Sequence, residues 1–317
     1  MLKLIRYSIF TALDLMRALP FLLVVALPHA LGMRRDPVYI AKALLALFLF
    51  RKPEADDVNW LSKEIETGKL TPFRLCLSFF MMPEGLETRL FAANGNAAHH
   101  AAREYLIQNI LPSAEAILDL GGSSTVHNEG ALLGMGYQHN PKKIIIVDLP
   151  PIERTADQQS LHTDESTLQF NGIEVRHVFG TMDRLDRIRS QSIDLVWSGQ
   201  SVEHIDVGQA QKMFQEVWRV LQPGGKFCLD TPNRALSKML CRMGFIHPEH
   251  KIEYMPSDLR SLLTASGFKV RQELAVSPMP LSLKWRKFCK LELHNSKAVS
   301  RWAAEGFSFF VECEKPS

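Results

Sequence analysis

A short glycine turn between two apolar stretches constrains this chain more than any other feature of its sequence. Apolar residues 116–118 lead into segment 119–125, which reads DLGGSST, and residues 144–148, IIIVD, follow downstream. This order predicts a strand, a glycine turn, a helix entrance, and a second strand that ends in an acid. Units of this kind cradle nucleotide-like cofactors in α/β proteins, at the carboxyl edge of a parallel sheet.

The composition indicates a soluble globular protein and argues against a nucleic-acid partner. The 317 residues are 46% apolar and 22% charged, and the formal net charge is only +3, which is too small for a nucleic-acid binder. The cysteines are scattered and include no closely spaced pair, so they predict neither a disulfide framework nor a zinc site. This usage favours a reducing, cytoplasmic location. The cysteines are Cys76, Cys228, Cys241, Cys289 and Cys313.

The N-terminal residues 1–35 form an apolar and amphipathic segment. Residues 18–33 carry no formally charged side chain, but they are fewer than the roughly 20 that a spanning helix needs and include Pro20 and Pro28. Residues 2–17, if helical, gather their charges on one narrow face. We expect peripheral membrane contact at the inner face of the cytoplasmic membrane. The alternatives are a helix packed on this protein, a signal peptide or a spanning segment.

Residues 36–87 are predicted to form a small helical module of three short helices. Asp36 followed by Pro37 is a cap and a first-turn proline, so a helix is expected from there to Phe50. A second helix is expected over 55–67, because Gly68 stands at the position where glycine commonly terminates a helix. Thr71 and Pro72 repeat the combination of a cap and a first-turn proline. They predict a third helix, which Pro83 terminates.

This module resembles a small helical domain of unknown function. The resemblance rests on residues 43–54 (ALLALFLFRKPE), 60–61 (WL), 68–71 (GKLT) and 82–84 (MPE). That domain recurs in bacterial surface-polysaccharide enzymes and secreted repeat proteins, so the resemblance implies a biological context rather than a chemistry. The alternative is an anonymous helical extension.

From about residue 88 to 317 the pattern alternates between strands and helices, as a parallel sheet requires. Residues 104–111 are expected to end a helix before the first strand. Asp206 is expected to cap another helix over 207–221, which ends in the turn Gln-Pro-Gly-Gly at 222–225. The predicted strands cover the first apolar run and then 144–148, 174–179, 193–197, 226–230, 268–276 and 307–314.

Residues 88–317 resemble the class I S-adenosylmethionine-dependent methyltransferases. The matching motifs, in chain order, are the glycine turn, the fourth strand with residues 202–205 (VEHI), the helix and turn 217–225 (VWRVLQPGG), and residues 230–233 (DTPN) with the segment 249–268. The resemblance implies an α/β, Rossmann-like doubly wound fold with a mostly parallel sheet of about seven strands behind an all-helical N-terminal extension. It also implies S-adenosyl-L-methionine as cofactor.

The resemblance implies a set of cofactor-binding residues, and chemistry supports several of them. Glycine at 121 and 122 lets the backbone approach the cofactor, and Asp148 at a strand end can accept hydrogen bonds from both ribose hydroxyls. This sequence departs from the family pattern at Ser123 and Thr125, which stand where the family usually has glycines. It also departs at Thr181, where the family commonly has aspartate. The full predicted set is Asp119, Gly121, Gly122, Ser123, Asp148, Thr181, Met182 and Ser198.

Two histidines are candidate catalytic residues. His204 follows the fourth strand and His250 follows the fifth, so both are expected to overhang the carboxyl edge of the sheet. Either could take the proton of an acceptor hydroxyl, and either could be a purely structural residue. No pair of acids has a spacing that predicts a cation site, so no metal is expected.

The predicted function is S-adenosylmethionine-dependent O-methylation of a sugar in a lipid-linked or cell-surface glycan. The helical module and the apolar N-terminus favour that acceptor. The alternatives are a phenolic small-molecule acceptor, a non-catalytic membrane-associated scaffold, and an NAD-dependent oxidoreductase, which would need a third glycine opening the helix. The sequence predicts a small-molecule or glycan partner, and it leaves the oligomeric state open.

Overall fold

The computed structural model describes residues 23, 25, 36–49, 55–68, 71–72, 86–153, 164–241, 244–247, 249–289, 292–293 and 295–317. A single sheet forms the centre of this part of the chain. Its strands are β1 (Ala116–Leu120), β2 (Lys143–Asp148), β3 (Ser166–Phe170), β4 (Ile173–Phe179), β5 (Ile193–Gly199), β6 (Leu221–Pro232), β7 (Lys269–Pro278), β8 (Val299–Ser300) and β9 (Gly306–Glu314).

The sheet is mixed but parallel at its centre, with the strand order β3-β4-β2-β1-β5-β6-β9-β7-β8. Strands β4, β2, β1, β5 and β6 run parallel to one another. Strand β3 pairs antiparallel with β4, and β9 lies antiparallel between β6 and β7. The strand order reverses direction between β1 and β5, which is where doubly wound folds bind ligands. The predicted fold class is confirmed. The structure adds two strands that were not predicted, β3 and the two-residue β8.

Helices cover both faces of the sheet. They are α1 (Pro37–Leu49), α2 (Ala55–Glu66), α3 (Leu86–Asn109), α4 (Ala131–Gly134), α5 (Val207–Val220), α6 (Arg234–Leu240), α7 (Pro256–Ala265) and α8 (Pro280–Trp285). Side chains along β1 alternate, so Ile117 packs in the cluster that contains α3 and Leu118 packs in the cluster that contains α5 and α7. Burial of these two apolar layers is the main source of stability for such a sheet.

Helix α5 begins at the predicted cap. The Asp206 carboxylate accepts a hydrogen bond from the Gln209 backbone N–H, and the Gln209 side chain accepts from the Asp206 N–H, which completes a capping box. The helix ends at Val220, and β6 begins at once with Leu221, which pairs with Ile193. The predicted turn 222–225 is therefore an irregular stretch within the bounds of β6, and the fifth predicted strand starts earlier than expected.

The segment after the glycine turn differs from the prediction of an immediate helix entrance. The chain stays irregular until α4, which begins at Ala131 and lasts for four residues. The hydroxyl of Ser124 accepts hydrogen bonds from the backbone N–H groups of Val126 and His127, at 3.2 and 3.1 Å. Local bonds of this kind compete with helix formation, so no helix N-terminus directly follows Gly122.

The predicted helical module is partly described. Helices α1 and α2 match the first two predicted helices, and the Asp36 carboxylate accepts from the Val38 N–H as a cap would. Apart from Thr71 and Pro72, the third predicted helix lies outside the described residues. Helix α3 continues without a break across the predicted boundary at 87/88 and packs against α1.

The expectation of membrane contact concerns residues 1–35, of which the structure describes only Leu23 and Val25. Among the described helices, none combines the length and the apolar character that crossing a bilayer demands.

Candidate active site

A cavity of about 770 Å³ opens where β1, β2, β4 and β5 end. This volume is within the range of roughly 300 to 1,000 Å³ that ligand pockets usually have. Six of the predicted site residues line it, and four lie outside its lining. The six are Gly121, Ser123, Asp148, Thr181, Met182 and His204.

The glycine turn forms the floor of the cavity, and its first glycine has no room for a side chain. Gly121 has a φ of +77°, and a Cβ at this position would lie 2.8 Å from the Ser201 Cβ. The Gly121 N–H donates to the Val147 carbonyl at 2.9 Å, which ties the turn to the end of β2. The positive φ and the close approach of Ser201 both require glycine at position 121. The missing side chain leaves the backbone accessible to a ligand.

Asp119 lies beneath the turn rather than on the cavity wall. Its side chain is buried, and a Cβ on Gly122 would stand 2.0 Å from the Asp119 Oδ2. Burial, and secondarily the nearby charge of Asp148, raises the pKa of Asp119 to about 8. The missing side chain of Gly122 therefore makes room for the Asp119 carboxyl group, and neither residue lines the cavity. Their binding of a cofactor stays a prediction.

The Asp148 carboxylate is held in place at the end of β2. Its Oδ2 accepts from the Ser123 N–H at 3.1 Å, and its Oδ1 accepts from the Leu149 N–H at 2.8 Å. A carboxylate oxygen has lone pairs for more than one hydrogen bond. The carboxylate is thus oriented before any ligand binds, and it faces the same cavity as the glycine turn.

The loop after β4 supplies another wall of the cavity. The Gly180 N–H donates to the Asp148 carbonyl at 2.9 Å, so this loop starts beside the acid. Thr181 and Met182 line the cavity, and Met182 also packs on the apolar core. Asp183 lines it too, although the sequence analysis did not select it. An acid is thus present close to the position where the resemblance led us to expect an aspartate.

Ser198 and Ser201 share one hydrogen-bond network but only Ser201 lines the cavity. Ser198 is fully buried and its Oγ lies 3.1 Å from the Ser201 Oγ. Ser201 in turn donates to the Leu120 carbonyl at 2.8 Å, directly before the glycine turn. The serine that the sequence selected therefore supports the one that reaches the cavity.

The two predicted catalytic histidines are adjacent but differ in access. The rings of His204 and His250 have centroids 5.0 Å apart, and His204 lines the cavity. Burial, followed by the neighbouring His250 and His247, lowers the pKa of His204 to about 4, so its ring is neutral at pH 7. His250 is not part of the cavity lining, and its Nδ1 lies 2.8 Å from the Glu253 Oε1. Of the pair, only His204 is part of the cavity lining.

Several polar residues around His204 were not found from the sequence. His100 and Glu104 reach the cavity from α3, and Gln200, Glu249 and Lys251 reach it from loops. They come from distant parts of the chain, so no local motif could have grouped them. The available signal was position, because Gln200 lies three residues beyond the predicted parallel strand 193–197 and directly after the observed β5.

Solved structures with similar folds are distant in sequence. A methyltransferase from Thermotoga maritima, described as a possible histamine N-methyltransferase, is 14% identical; the match covers 72% of this chain and 93% of that chain, with a TM-score of 0.45. A methyltransferase from Archaeoglobus fulgidus is 17% identical, with 73% and 98% covered and a TM-score of 0.43. These similarities do not bear on the reaction or the substrate.

One sequence relative and one protein family match parts of this chain. A probable S-adenosylmethionine-dependent methyltransferase of Mycolicibacterium smegmatis is 34% identical over 121 residues, which are 37% of this chain and 45% of that protein. This chain therefore spans less than half the length of that curated relative. Residues 122–229 match the family described as "Methyltransferase domain". This family match and the relative's name imply S-adenosylmethionine as the cofactor of the site.

Proposed function

We propose that this chain transfers a methyl group from S-adenosylmethionine to a hydroxyl oxygen of a sugar-containing acceptor. The observation that carries the proposal is that the Gly121 turn, Asp148 and His204 all line one cavity. The sulfonium of the cofactor supplies an activated methyl group, so the protein must align the acceptor and exclude water.

The cofactor end of the cavity suits a nucleoside with a charged amino-acid tail. Asp148 offers a fixed carboxylate to the two ribose hydroxyls, and the apolar side chains of Met182 and Leu149 flank the adjoining wall. Gly121 brings bare backbone to the same cavity. The irregular segment from Ser123 onward presents hydroxyls rather than a helix N-terminus to the methionyl carboxylate.

The polar lining of the cavity favours a polyhydroxylated acceptor over a phenol. Besides the residues assigned to the cofactor, this lining includes His100, Glu104, Gln209, Glu249 and Lys251, all able to hydrogen-bond a sugar. Among the described residues that line the cavity, none is Phe, Tyr or Trp, whereas a phenolic ring would gain from an aromatic wall. This polar wall supports the sugar hypothesis independently of the resemblance of residues 43–84 to surface-polysaccharide proteins.

His204 is the candidate group for the acceptor proton. It is the predicted catalytic residue that reaches the cavity, and its neutral ring can accept a hydrogen bond from a hydroxyl. In this role it would orient the acceptor oxygen toward the methyl group and take up the proton that the oxygen loses.

Calorimetry with S-adenosylhomocysteine tests the cofactor site. Asp148→Asn should weaken binding by about 10- to 100-fold, because a hydrogen bond to a charged group contributes roughly 1.5–3 kcal/mol. Asp186→Asn is the control, since Asp186 is an exposed acid on the loop after β4, and it should change affinity less than about twofold. Wild-type protein that does not bind, or an unchanged affinity in Asp148→Asn, would exclude the proposal.

Transfer of a labelled methyl group tests the acceptor. We expect label to enter the glycan or lipid-linked sugar fraction of a bacterial cell-envelope extract, and to be lost with Asp148→Asn. Label found instead in added phenols would support the alternative acceptor. Binding of S-adenosylhomocysteine without transfer to any fraction would favour the non-catalytic scaffold.

A further inference from the structure

Glu203, His204 and His250 form a cluster of metal-ligating groups beside the cavity. One side-chain ligand atom of each lies within 4.8 Å of those of the other two. Glu203 and His204 follow β5, whereas His250 lies on the loop before α7, and the backbone N–H of Lys251 donates to the Glu203 carbonyl at 2.8 Å. We propose that these three side chains bind a divalent transition-metal ion at the wall of the cavity.

Glu203 provides one carboxylate oxygen that the described part of the chain leaves without a hydrogen-bond partner. The side chain is fully buried, and its Oε2 accepts a hydrogen bond from the Thr231 hydroxyl at 2.9 Å. Its Oε1 is also buried and has no hydrogen-bond partner among the described residues. Buried carboxylates are normally paired, hydrogen-bonded or bound to a metal. A cation between Glu203 and the two imidazoles would satisfy this oxygen.

His250 is oriented as metal-binding histidines usually are. Its Nδ1 lies 2.8 Å from the Oε1 of Glu253, whose side chain is itself buried and which also accepts from the Ile246 N–H at 2.8 Å. Ligand histidines commonly donate their second ring nitrogen to a carboxylate, which fixes the tautomer and the ring orientation. The same arrangement here leaves Nε2 of His250 as the nitrogen for an ion.

The ligand set selects the class of ion. Two imidazoles and one carboxylate suit Zn²⁺, Fe²⁺ or Co²⁺, whereas Mg²⁺ and Ca²⁺ prefer oxygen ligands alone. Three protein ligands leave at least one coordination position open, as in catalytic zinc sites. His204 lines the cavity, so the ion would lie beside the cavity. The expectation of no metal rested on the spacing of acid pairs alone, which carries no signal for a mixed cluster of one carboxylate and two imidazoles.

This inference goes beyond the proposed methyl transfer and does not depend on it. It does change the expected role of His204, because a nitrogen that binds an ion cannot also accept a proton. In the metal-bound protein, His204 would be a ligand rather than a base.

Equilibrium dialysis of the full-length protein, stripped with a chelator and then offered Zn²⁺ or Mg²⁺, tests the site. We expect about one equivalent of Zn²⁺ and at least about tenfold weaker binding in His250→Asn and in Glu203→Gln. His247→Asn is the matched control. Its ring lies 5.4 Å from that of His250 but it is outside the ligand cluster, so Zn²⁺ binding should be retained. Circular dichroism checks that each variant is folded.

Co²⁺ provides a second measurement that does not depend on Glu203→Gln being folded. We expect visible absorption bands from Co²⁺ with nitrogen ligands in the wild type, and their loss in His250→Asn. The proposal is overturned if wild-type protein binds no stoichiometric Zn²⁺, if Mg²⁺ binds as tightly, or if His247→Asn weakens binding as much as His250→Asn. Failure of methyl transfer alone would leave these metal measurements unaffected.

Discussion

Asp119 shows how a residue at a strand end can influence a site that it does not line. Its carboxyl group is buried under the glycine turn, next to Gly122 and near the charge of Asp148. Both burial and the like charge favour the protonated form, so the pKa of Asp119 lies at about 8. The unfolded chain would release this proton near pH 4.

The stability of the protein should therefore depend on pH through Asp119. Between about pH 4 and pH 8 the folded state holds this proton and the unfolded state does not. The contribution of this proton to the free energy of unfolding is therefore complete below pH 4 and is lost as the pH rises to 8. Asp119→Asn removes the titration. Relative to the wild type, the variant should gain up to about 1.4 kcal/mol in free energy of unfolding per pH unit. Urea unfolding at pH 5, 6.5 and 8 measures this difference.

The exposed acid Asp258 provides a control, because Asp258→Asn should follow the wild type at all three pH values. A constant difference between Asp119→Asn and wild type would contradict the assignment.

Individual side chains were the hardest part of the site to predict. The sequence selected Ser198 by its place after a strand, but Gly199 and Gln200 turn the chain, with Gln200 at a φ of +56°, and Ser201 reaches the cavity instead. A strand end can be predicted from an apolar pattern, whereas the direction of the following side chains depends on turn geometry. Asp148 was more predictable because it is the last residue of a regular strand.

At the scale of elements, the glycine turn can be tested as a unit. Gly121→Ala should lose roughly 1–2 kcal/mol for the left-handed backbone and about 1–3 kcal/mol more for the clash with Ser201. Gly172→Ala is a matched control. It has a φ of +83° with no atom within 4 Å of the added Cβ, so only the backbone cost applies. Chemical denaturation compares the two variants, and equal losses would show that the contact with Ser201 is unimportant.

Most elements could be predicted because their apolar period is regular. The central parallel strands are buried runs of Ile, Val and Leu, and α5 has both a capping box and an apolar face. Strand β3 was missed because its sequence, STLQF, is short and half exposed. It forms through antiparallel pairing with β4. Tertiary pairing of this kind has no strong local signal.

At the scale of the whole molecule, one buried ion pair joins α3 to the sheet. The Arg103 Nε lies 2.8 Å from the Asp230 Oδ2, Nη2 lies 3.2 Å from Oδ1, and the Asp230 side chain is fully buried. Gln200 also donates to Asp230, at 2.7 Å. The pair thus connects the helix before β1, the strand β6 and a loop that lines the cavity.

Removing one partner of this pair should be costly. Arg103→Met leaves the Asp230 charge buried without its cation, and we expect a loss of about 3–5 kcal/mol in urea unfolding. Lys142→Met is the control, because the pair Lys142–Glu115 is well exposed on both sides and should contribute less than about 1 kcal/mol. The double variant Arg103→Met, Asp230→Asn should recover part of the loss. A loss below 1 kcal/mol in Arg103→Met would contradict this role.

Helix α3 connects α1 with the cavity. It packs against α1, it is fixed to the sheet by Arg103, and it carries His100 and Glu104 into the cavity. A displacement of α1 that moved α3 would therefore also shift two side chains of the cavity lining, although α1 itself contributes no residue to that lining in the described part of the chain.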